Sequence, residues 1–355
     1  MKGLFIFFNW SRQHLFSSVF NTVLTLLALY ALYWLLPPLV RWAFIDAHWQ
    51  GNSAAACSGE GACWVFIKVR FNQFIYGFYP PSEYWRVNLA FLFLAGLITA
   101  LLVKSIPKKL WIATFTLLIY PIIAFYLFHG GILGLEVVET DQWGGLMLTL
   151  ILAIVGIVLS LPLGIVLALG RRADNMPIVK AFCVIFIEFW RGVPLITVLF
   201  MASVMLPLFL PEHVDIDKLM RALMGIVLFE SAYMAEVIRG GLQSIPKGQY
   251  EAAEALGLGY WQSMIGIILP QALKLVIPGI VNTLIALFKD TTLVLIIGLM
   301  DLLAMIEAAL ADPNWLGFWI EGLVFAAFIY WFFCFSMSRY SQYLEHQLHS
   351  GHKRL

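Results

Sequence analysis

Residues 143–170 read WGGLMLTLILAIVGIVLSLPLGIVLALG, without a single charge. A helix needs roughly 17–25 apolar residues to cross the hydrocarbon core of a bilayer. This stretch alone therefore puts the chain in a membrane. Uncharged or nearly uncharged stretches recur at 20–40, 87–103, 111–128, 192–211, 222–238, 275–288 and 322–338. Only 275–288 is short. It starts earlier, through Gln271 and Lys274, and is followed by Lys289-Asp290 and a second apolar run at 291–300. We read 271–300 as one span followed by a bent or re-entrant piece, with a ninth crossing as the alternative. The expected fold is all-α and polytopic, with about eight transmembrane helices.

Composition excludes other classes. Hydrophobic residues make up 61% of the chain and charged ones 12%, where a soluble domain has about 45–50% and about 25%. An ordinary soluble enzyme is ruled out. Lys and Arg number 22 against 21 Asp and Glu, a net charge of +1, so no basic field points to nucleic acid. The run from Phe20 to Val40 has no small-residue cleavage site after it. It reads as a retained span rather than a signal peptide.

Positive charge sets the orientation. With the amino terminus inside and eight spans, the inside segments hold 13 Lys and Arg and the outside segments 6. Glu136, Glu139, Asp141, Glu212, Asp215 and Asp217 all fall outside. A ninth crossing would put the basic tail outside, so eight is favoured and both termini are expected to be cytoplasmic. The outer loop 41–86 carries nine aromatics from Trp64 to Trp85. It reads either as a segment lying along the membrane interface or as a docking surface for an external partner. Cys57 and Cys63 share this loop; they either close a small ring in an oxidising compartment or remain free thiols. Cys183 and Cys334 sit in apolar stretches and read as small hydrophobes.

The informative loop is the inside one after the sixth span. It runs Arg239-Gly240-Gly241-Leu-Gln-Ser-Ile-Pro246-Lys-Gly248-Gln-Tyr, then Glu251-Ala252-Ala253-Glu254-Ala255-Leu256-Gly257, and later Ile267-Ile268-Leu269-Pro270. Ser244 and Pro246 are residues that open helices. Gln249 to Leu256 are mostly strong helix formers, and Gly257 suits a left-handed stop. The prediction is a helix of about two turns, roughly 12 Å long. Ala252, Ala253 and Leu256 share a stripe flanked by Glu251 and Glu254. Helix physics leaves two readings, a solvated loop helix and a small knob for a partner's groove.

The spacing Glu251-Ala252-Ala253, Gly257, Ile267-x-Leu269-Pro270 resembles the EAA loop of ABC-importer membrane subunits. Three further strings resemble segments of polar amino-acid permeases: Glu188-Phe-Trp-Arg191-Gly192-Val-Pro194-Leu, Ala232-Tyr233-Met-Ala235-Glu236-Val-Ile-Arg239-Gly240-Gly241, and Lys289-Asp290-Thr291-Thr292-Leu293. The last has Thr where that family usually has Ser. The resemblance covers about residues 143–345. The three extra spans and the 57–85 loop look like the larger, M-type permease of general L-amino-acid transporters, and equally like glutamate/glutamine/aspartate permeases. It implies a division into an N-terminal region (1–142), a five-helix transport core (143–345) containing the EAA coupling loop (239–270), and a cytoplasmic tail (346–355). It also implies a bacterial inner membrane and a second permease subunit forming a heterodimer. Two cytoplasmic ATPase subunits, a periplasmic binding protein and an L-amino-acid substrate complete the set. The ATPases would contact Glu251, Ala252, Ala253, Gly257, Ile267, Leu269 and Pro270.

No Gly-Lys dipeptide occurs, so no G-x-x-x-x-G-K-[ST] phosphate loop exists. No cofactor is expected in this chain; ATP would be bound by the partner subunits. The remaining charges carry bland and sharp readings. Glu236 with Arg239, and Glu188 with Arg191, have the i,i+3 spacing of structural ion pairs. Glu230 sits mid-span, and a charge there costs about 2.5–3.5 kcal/mol on insertion scales; it either lines a pathway or makes a buried helix–helix bond. Lys289 and Asp290 interrupt an apolar run, as a structural pair at a helix break or as groups meeting a zwitterion. His346, His349 and His352 read as a polar tail, and no metal site or catalytic set stands out. A secondary transporter or channel without an ATPase is the rival class, but it has no use for a loop of this spacing.

Overall fold

The computed structural model describes residues 9–57, 59–103, 105–211, 214 and 216–349. Lys2, Lys104, Glu212, Asp215, His352, Lys353 and Arg354 lie outside them. Among the described residues the fold is helical, with no strand. It divides into two compact units.

The first unit comprises the described residues up to Arg70 together with Leu310–Gly322. Helix α1 (Val19–Val40) is opened by Ser18, whose side chain accepts the Asn21 amide. It is apolar on every face and buries no residue within the chain. Such a helix is stable only with lipid around it. Beyond it the loop folds on itself. Cys57 and Cys63 are joined by a disulfide. The Ala62 carbonyl accepts the His48 amide at 2.8 Å, and the Trp64 indole donates to Ala43 O at 2.8 Å. Helix α2 (Trp64–Tyr76) starts here. Phe66 is buried beside Trp315 and Phe318. The Cys63 amide donates to Glu321 at 2.9 Å, and Arg70 pairs with Asp312. The aromatic run is therefore no free interfacial strip. Phe66, Phe74 and Tyr79 are buried, and only Phe71, Phe78 and Trp85 stand well exposed.

The second unit holds the remaining helices: α3 (Tyr84–Leu102), α4 (Lys109–His129), α5 (Gly145–Arg171), α6 (Pro177–Gly192), α7 (Leu195–Phe209), α8 (Lys218–Ser244), α9 (Lys247–Ala255), α10 (Leu269–Leu275), α11 (Ile277–Asp290), α12 (Leu302–Leu310) and α13 (Trp319–His349). Among the described residues six helical segments are long and apolar enough to cross a membrane, or seven if the bent pair α6–α7 is one span. Helix α8, the remaining expected span, has 27 residues, about 40 Å; its charges keep it from meeting the apolar criterion. Helix α12 has 9 residues, about 13 Å, far short of a crossing.

Two expectations need correction. Residues 171–191 were expected to be a loop, yet 177–192 form α6. Its apolar residues recur at helical spacing and bury Cys183 and Ile187; Lys180, Glu188 and Arg191 had masked that period. The span expected at 192–211 is instead a broken pair, bent by 102° at Val193-Pro194, where a proline disfavours helix for the residue before it.

Proline also explains three widened turns. π-Turns at Phe115–Ile119, Met201–Met205 and Met264–Ile268 each stand two residues before a proline, Pro121, Pro207 and Pro270. A helical proline lacks its N–H and crowds the carbonyl four residues back, and a π-bulge absorbs that crowding. The carbonyl freed by Pro207 belongs to Ser203. It accepts Arg221 Nη1 at 2.9 Å.

Helices α5 and α8 are the pillars. Their amino-terminal halves share one apolar core with α3, α4 and α7. Their carboxy-terminal halves share a second with α6, Met264, Ile268 and Ala272. Arg221→Ala should lower the melting temperature of the detergent-purified protein, by an amount matching about 1–3 kcal/mol for an orphaned buried carbonyl. In a Pro207→Ala background, the restored N–H at 207 should shrink that loss. Strictly additive losses would contradict the pairing.

Candidate functional site: the coupling loop and its charge cluster

Helix α9 stands where the loop sequence predicted a short helix. Its first residue is Lys247 and its cap is Pro246. Ser244 opens nothing: it ends α8, with its hydroxyl donating to Gly240 O at 2.9 Å. At the other end the Gly257 amide donates to Glu254 O and the Leu258 amide to Ala253 O. This pair of bonds closes a helix around a left-handed residue, and Gly257 has φ +70°. A Cβ added to Gly257 would meet no atom within 4 Å, so only backbone conformation demands glycine there.

One face of α9 is pegged down. Arg172, just past α5, donates from Nη1 to Tyr250 Oη at 3.0 Å and to Leu242 O at 3.1 Å. The Tyr250 hydroxyl donates to the same carbonyl at 3.2 Å. Gln271 donates to Gln249 Oε1 at 3.1 Å. Ala253 is buried against this support, while Glu251, Ala252, Glu254 and Leu256 are exposed. Leu256 is 75% exposed. Of the stripe Ala252, Ala253 and Leu256, only Ala253 therefore faces inward. Ile267 and Leu269 are half-buried behind the helix, and Pro270 is exposed.

The four charges expected to form two i,i+3 pairs form one cluster instead. Glu236 accepts Arg239 Nε and Nη2 at 3.0 and 2.8 Å. Glu188 and Arg191 do not pair with each other. Glu188 meets Arg171 at 2.9 Å, and Arg191 lies 3.7 Å from Glu236 and over the Tyr233 ring. Opposite charges on the neighbouring helices win over the local spacing. Arg171 also reaches Glu236 at 3.0 Å. In the turn between α5 and α6, Lys180 donates to Asp174 at 2.6 Å and holds its carboxyl below the usual carboxylate range.

Higher along α8, Glu230 is only 3% exposed. Among the described residues no hydrogen bond or ion pair reaches it. Farther on in α11, Lys289 is exposed and Asp290 half-buried.

These features fit a set of known proteins. The family model for binding-protein-dependent transport system inner membrane components matches residues 160–350. The chain belongs to this family. It is 60% identical to the inner membrane amino-acid ABC transporter permease protein YhdY of Escherichia coli, over 96% of this chain and 93% of that one. It is 42% identical to the glutamate/glutamine/aspartate/asparagine transport system permease protein BztC of Rhodobacter capsulatus, over 97% and 94%. A solved amino acid ABC transporter with histidines superposes with a TM-score of 0.51 at 27% identity, covering 57% of this chain and 92% of that one. As a member of this family the chain is a multi-pass membrane transport component, not an enzyme.

Three residues of the site escaped the sequence. Arg171 and Arg172 registered there only as inside charge, and Tyr250 only as the residue before the Glu251 string. Tyr250 is half-buried, and its hydroxyl finds partners in Arg172 and Leu242 O that no local sequence pattern encodes. Asp301, fully buried, also went unread: it accepts the Ala304 amide at 3.0 Å and the Tyr330 hydroxyl at 3.0 Å. An Asp directly before an apolar helical run is a helix-cap signal. Gly257→Val, forced into a left-handed backbone at about 1–2 kcal/mol, should reach the membrane at near wild-type amounts yet lose most transport. Gly257→Asn, which tolerates that conformation, should keep it. Full transport by Gly257→Val would remove the need for the stop.

Proposed function

We propose that this chain is the permease subunit of an ATP-driven importer of L-amino acids in the bacterial inner membrane. It forms the translocation path together with a second permease subunit, as a heterodimer. Two cytoplasmic ATPase subunits drive it, and a periplasmic binding protein delivers substrate. The observation that carries this reading is α9: a two-turn helix pegged by Tyr250 on one face, with Glu251, Ala252 and Leu256 left exposed on the other. A lever between two proteins needs that arrangement. Movement of the ATPases shifts α9 and the adjoining Ile267–Pro270 segment, and the spans then change the side to which the path opens. The transport core comprises residues 143–345, the N-terminal region 1–142 and the tail 346–355.

Both termini are cytoplasmic in this reading. The Arg70–Asp312 pair and the Cys63 amide bond to Glu321 support this reading, in which the 41–70 loop and residues 310–322 are both periplasmic. An even number of crossings then separates them. Eight spans supply that number; a ninth crossing between 291 and 310 does not. The Cys57–Cys63 loop is periplasmic, where a disulfide persists. Thiol labelling of intact cells should modify Cys57 and Cys63 after reduction with an impermeant reductant; labelling only after permeabilisation contradicts this orientation.

Glu230, Lys289 and Asp290 are the candidate charges for the path. A zwitterion carries one cation and one anion, and Lys289 and Asp290 cannot both face one narrow passage, since neighbours on a helix point about 100° apart. Glu230 is buried and Asp290 half-buried, so these two carboxylates supply the anionic side, and exposed Lys289 serves a neighbouring helix. Glu230→Gln and Asp290→Asn should change which amino acids are carried while the complex still assembles. Lys289→Met should lower the amount of complex without changing selectivity. Unchanged uptake and unchanged amounts in all three variants contradict the assignment. The direct test of the whole reading is uptake of labelled L-amino acids with and without each neighbouring gene. Loss of uptake on deleting an ATPase gene is expected; uptake independent of any ATPase would mean a secondary transporter or channel.

A further inference from the structure

Arg171 is the last residue of α5 and belongs to none of the sequence motifs. Its guanidinium is shared between carboxylates on two other helices. Nη2 lies 2.9 Å from Glu188 Oε1 on α6, and Nη1 lies 3.0 Å from Glu236 Oε1 on α8. Glu236 in turn holds Arg239 through three contacts between 2.8 and 3.1 Å, and Arg239 lies near the end of α8, which leads to α9. Close packing makes the reach feasible. A Cβ on Gly170 would lie 2.4 Å from Cys183 Sγ, so α5 and α6 meet there without room for a larger residue.

The connections of these helices give the contact its meaning. Helix α6 turns by 102° into α7, whose residues pack with the outer half of α8 in the first core. The other end of α8 leads to α9. One side chain therefore ties the helix that starts the bent pair to the helix that carries the coupling loop. Among the described residues Nη1 makes no hydrogen bond, so the link to Glu236 is an ion pair, with the one delocalised charge of the guanidinium facing both carboxylates. Arg171 is 21% exposed and Glu236 15%, so the contact is largely shielded from water and weakly screened.

We propose that Arg171 is a positioning residue for energy coupling, holding α6 and α8 so that movement of α9 reaches the bent pair. The proposal rests on the coupling reading of α9. It assigns to Arg171 a role in transmission, not contact with substrate or with ATP.

The test uses the transporter purified through a tag on this chain, with its co-purifying subunits, in proteoliposomes. The readout is ATP hydrolysis with the binding protein, loaded from a mixture of the twenty L-amino acids, divided by hydrolysis without it. In Arg171→Ala that ratio should fall about tenfold, within the usual range of allosteric couplings, while the complex still assembles. Arg171→Lys should recover part of it, since an ammonium keeps the charge but, as a compact point, engages one carboxylate well. Glu188→Gln removes only the α6 arm at a position 56% exposed. It should also lower the ratio, and it decides the matter if Arg171→Ala fails to accumulate. A wild-type ratio in Glu188→Gln, or in Arg171→Ala, overturns the proposal. So does a smaller amount of complex whose ratio per complex is unchanged, because that marks a purely structural brace. A wild-type complex with no co-purifying ATPase overturns the coupling reading itself, and the role of Arg171 with it.

Discussion

A backbone amide or carbonyl inside hydrocarbon has no water to bond, so each must find its partner within the chain. That constraint orders this protein. It forces helices through every apolar stretch. It also turns three prolines into local events with a visible remedy, a π-turn two residues before Pro121, Pro207 and Pro270. At Pro207 the remedy extends to a side chain, with Arg221 filling the carbonyl of Ser203. The same constraint makes charges in the spans costly. Several in the second unit are buried with partners: the Glu236 cluster, Asp301 beneath the Tyr330 hydroxyl, and Arg86, fully buried beside Glu83 and donating to Glu136 O.

The coupling loop is built by the opposite logic. A helix of nine residues is too short to be stable alone in water. It persists because Arg172, Tyr250 and the Leu242 carbonyl lock its first turn, and because Gly257 closes its last. Everything that holds it lies on one face. Its other face carries Glu251, Ala252 and an almost bare Leu256, open to a partner. The charge cluster sits at the root of the same loop and joins three helices through two glutamates and three arginines.

Much of this was legible in the sequence, for identifiable reasons. Span positions follow from apolar length, which is a strong signal in lipid. The stop at Gly257 follows from the restricted φ of every other residue. Other features were hidden because they depend on which helices become neighbours. The i,i+3 spacing correctly joined Glu236 to Arg239 but wrongly joined Glu188 to Arg191, since Arg171 comes from a helix whose approach no local pattern encodes. Helix α6 was missed because three charges interrupt its apolar period, and those charges are the ones its neighbours neutralise. Asp301 was missed although its helix-cap signal was present, because the apolar run after it, 302–310, is too short to register as a span.

The most direct measurement concerns the bare face of α9. With a photo-crosslinking residue in place of Leu256, illumination of membranes should yield one dominant adduct with a soluble ATPase subunit, and the yield should change when nucleotide is bound. Adducts confined to lipid or to this chain itself would mean that α9 is a solvated loop helix, and would contradict the coupling role from which the rest of the functional account is built.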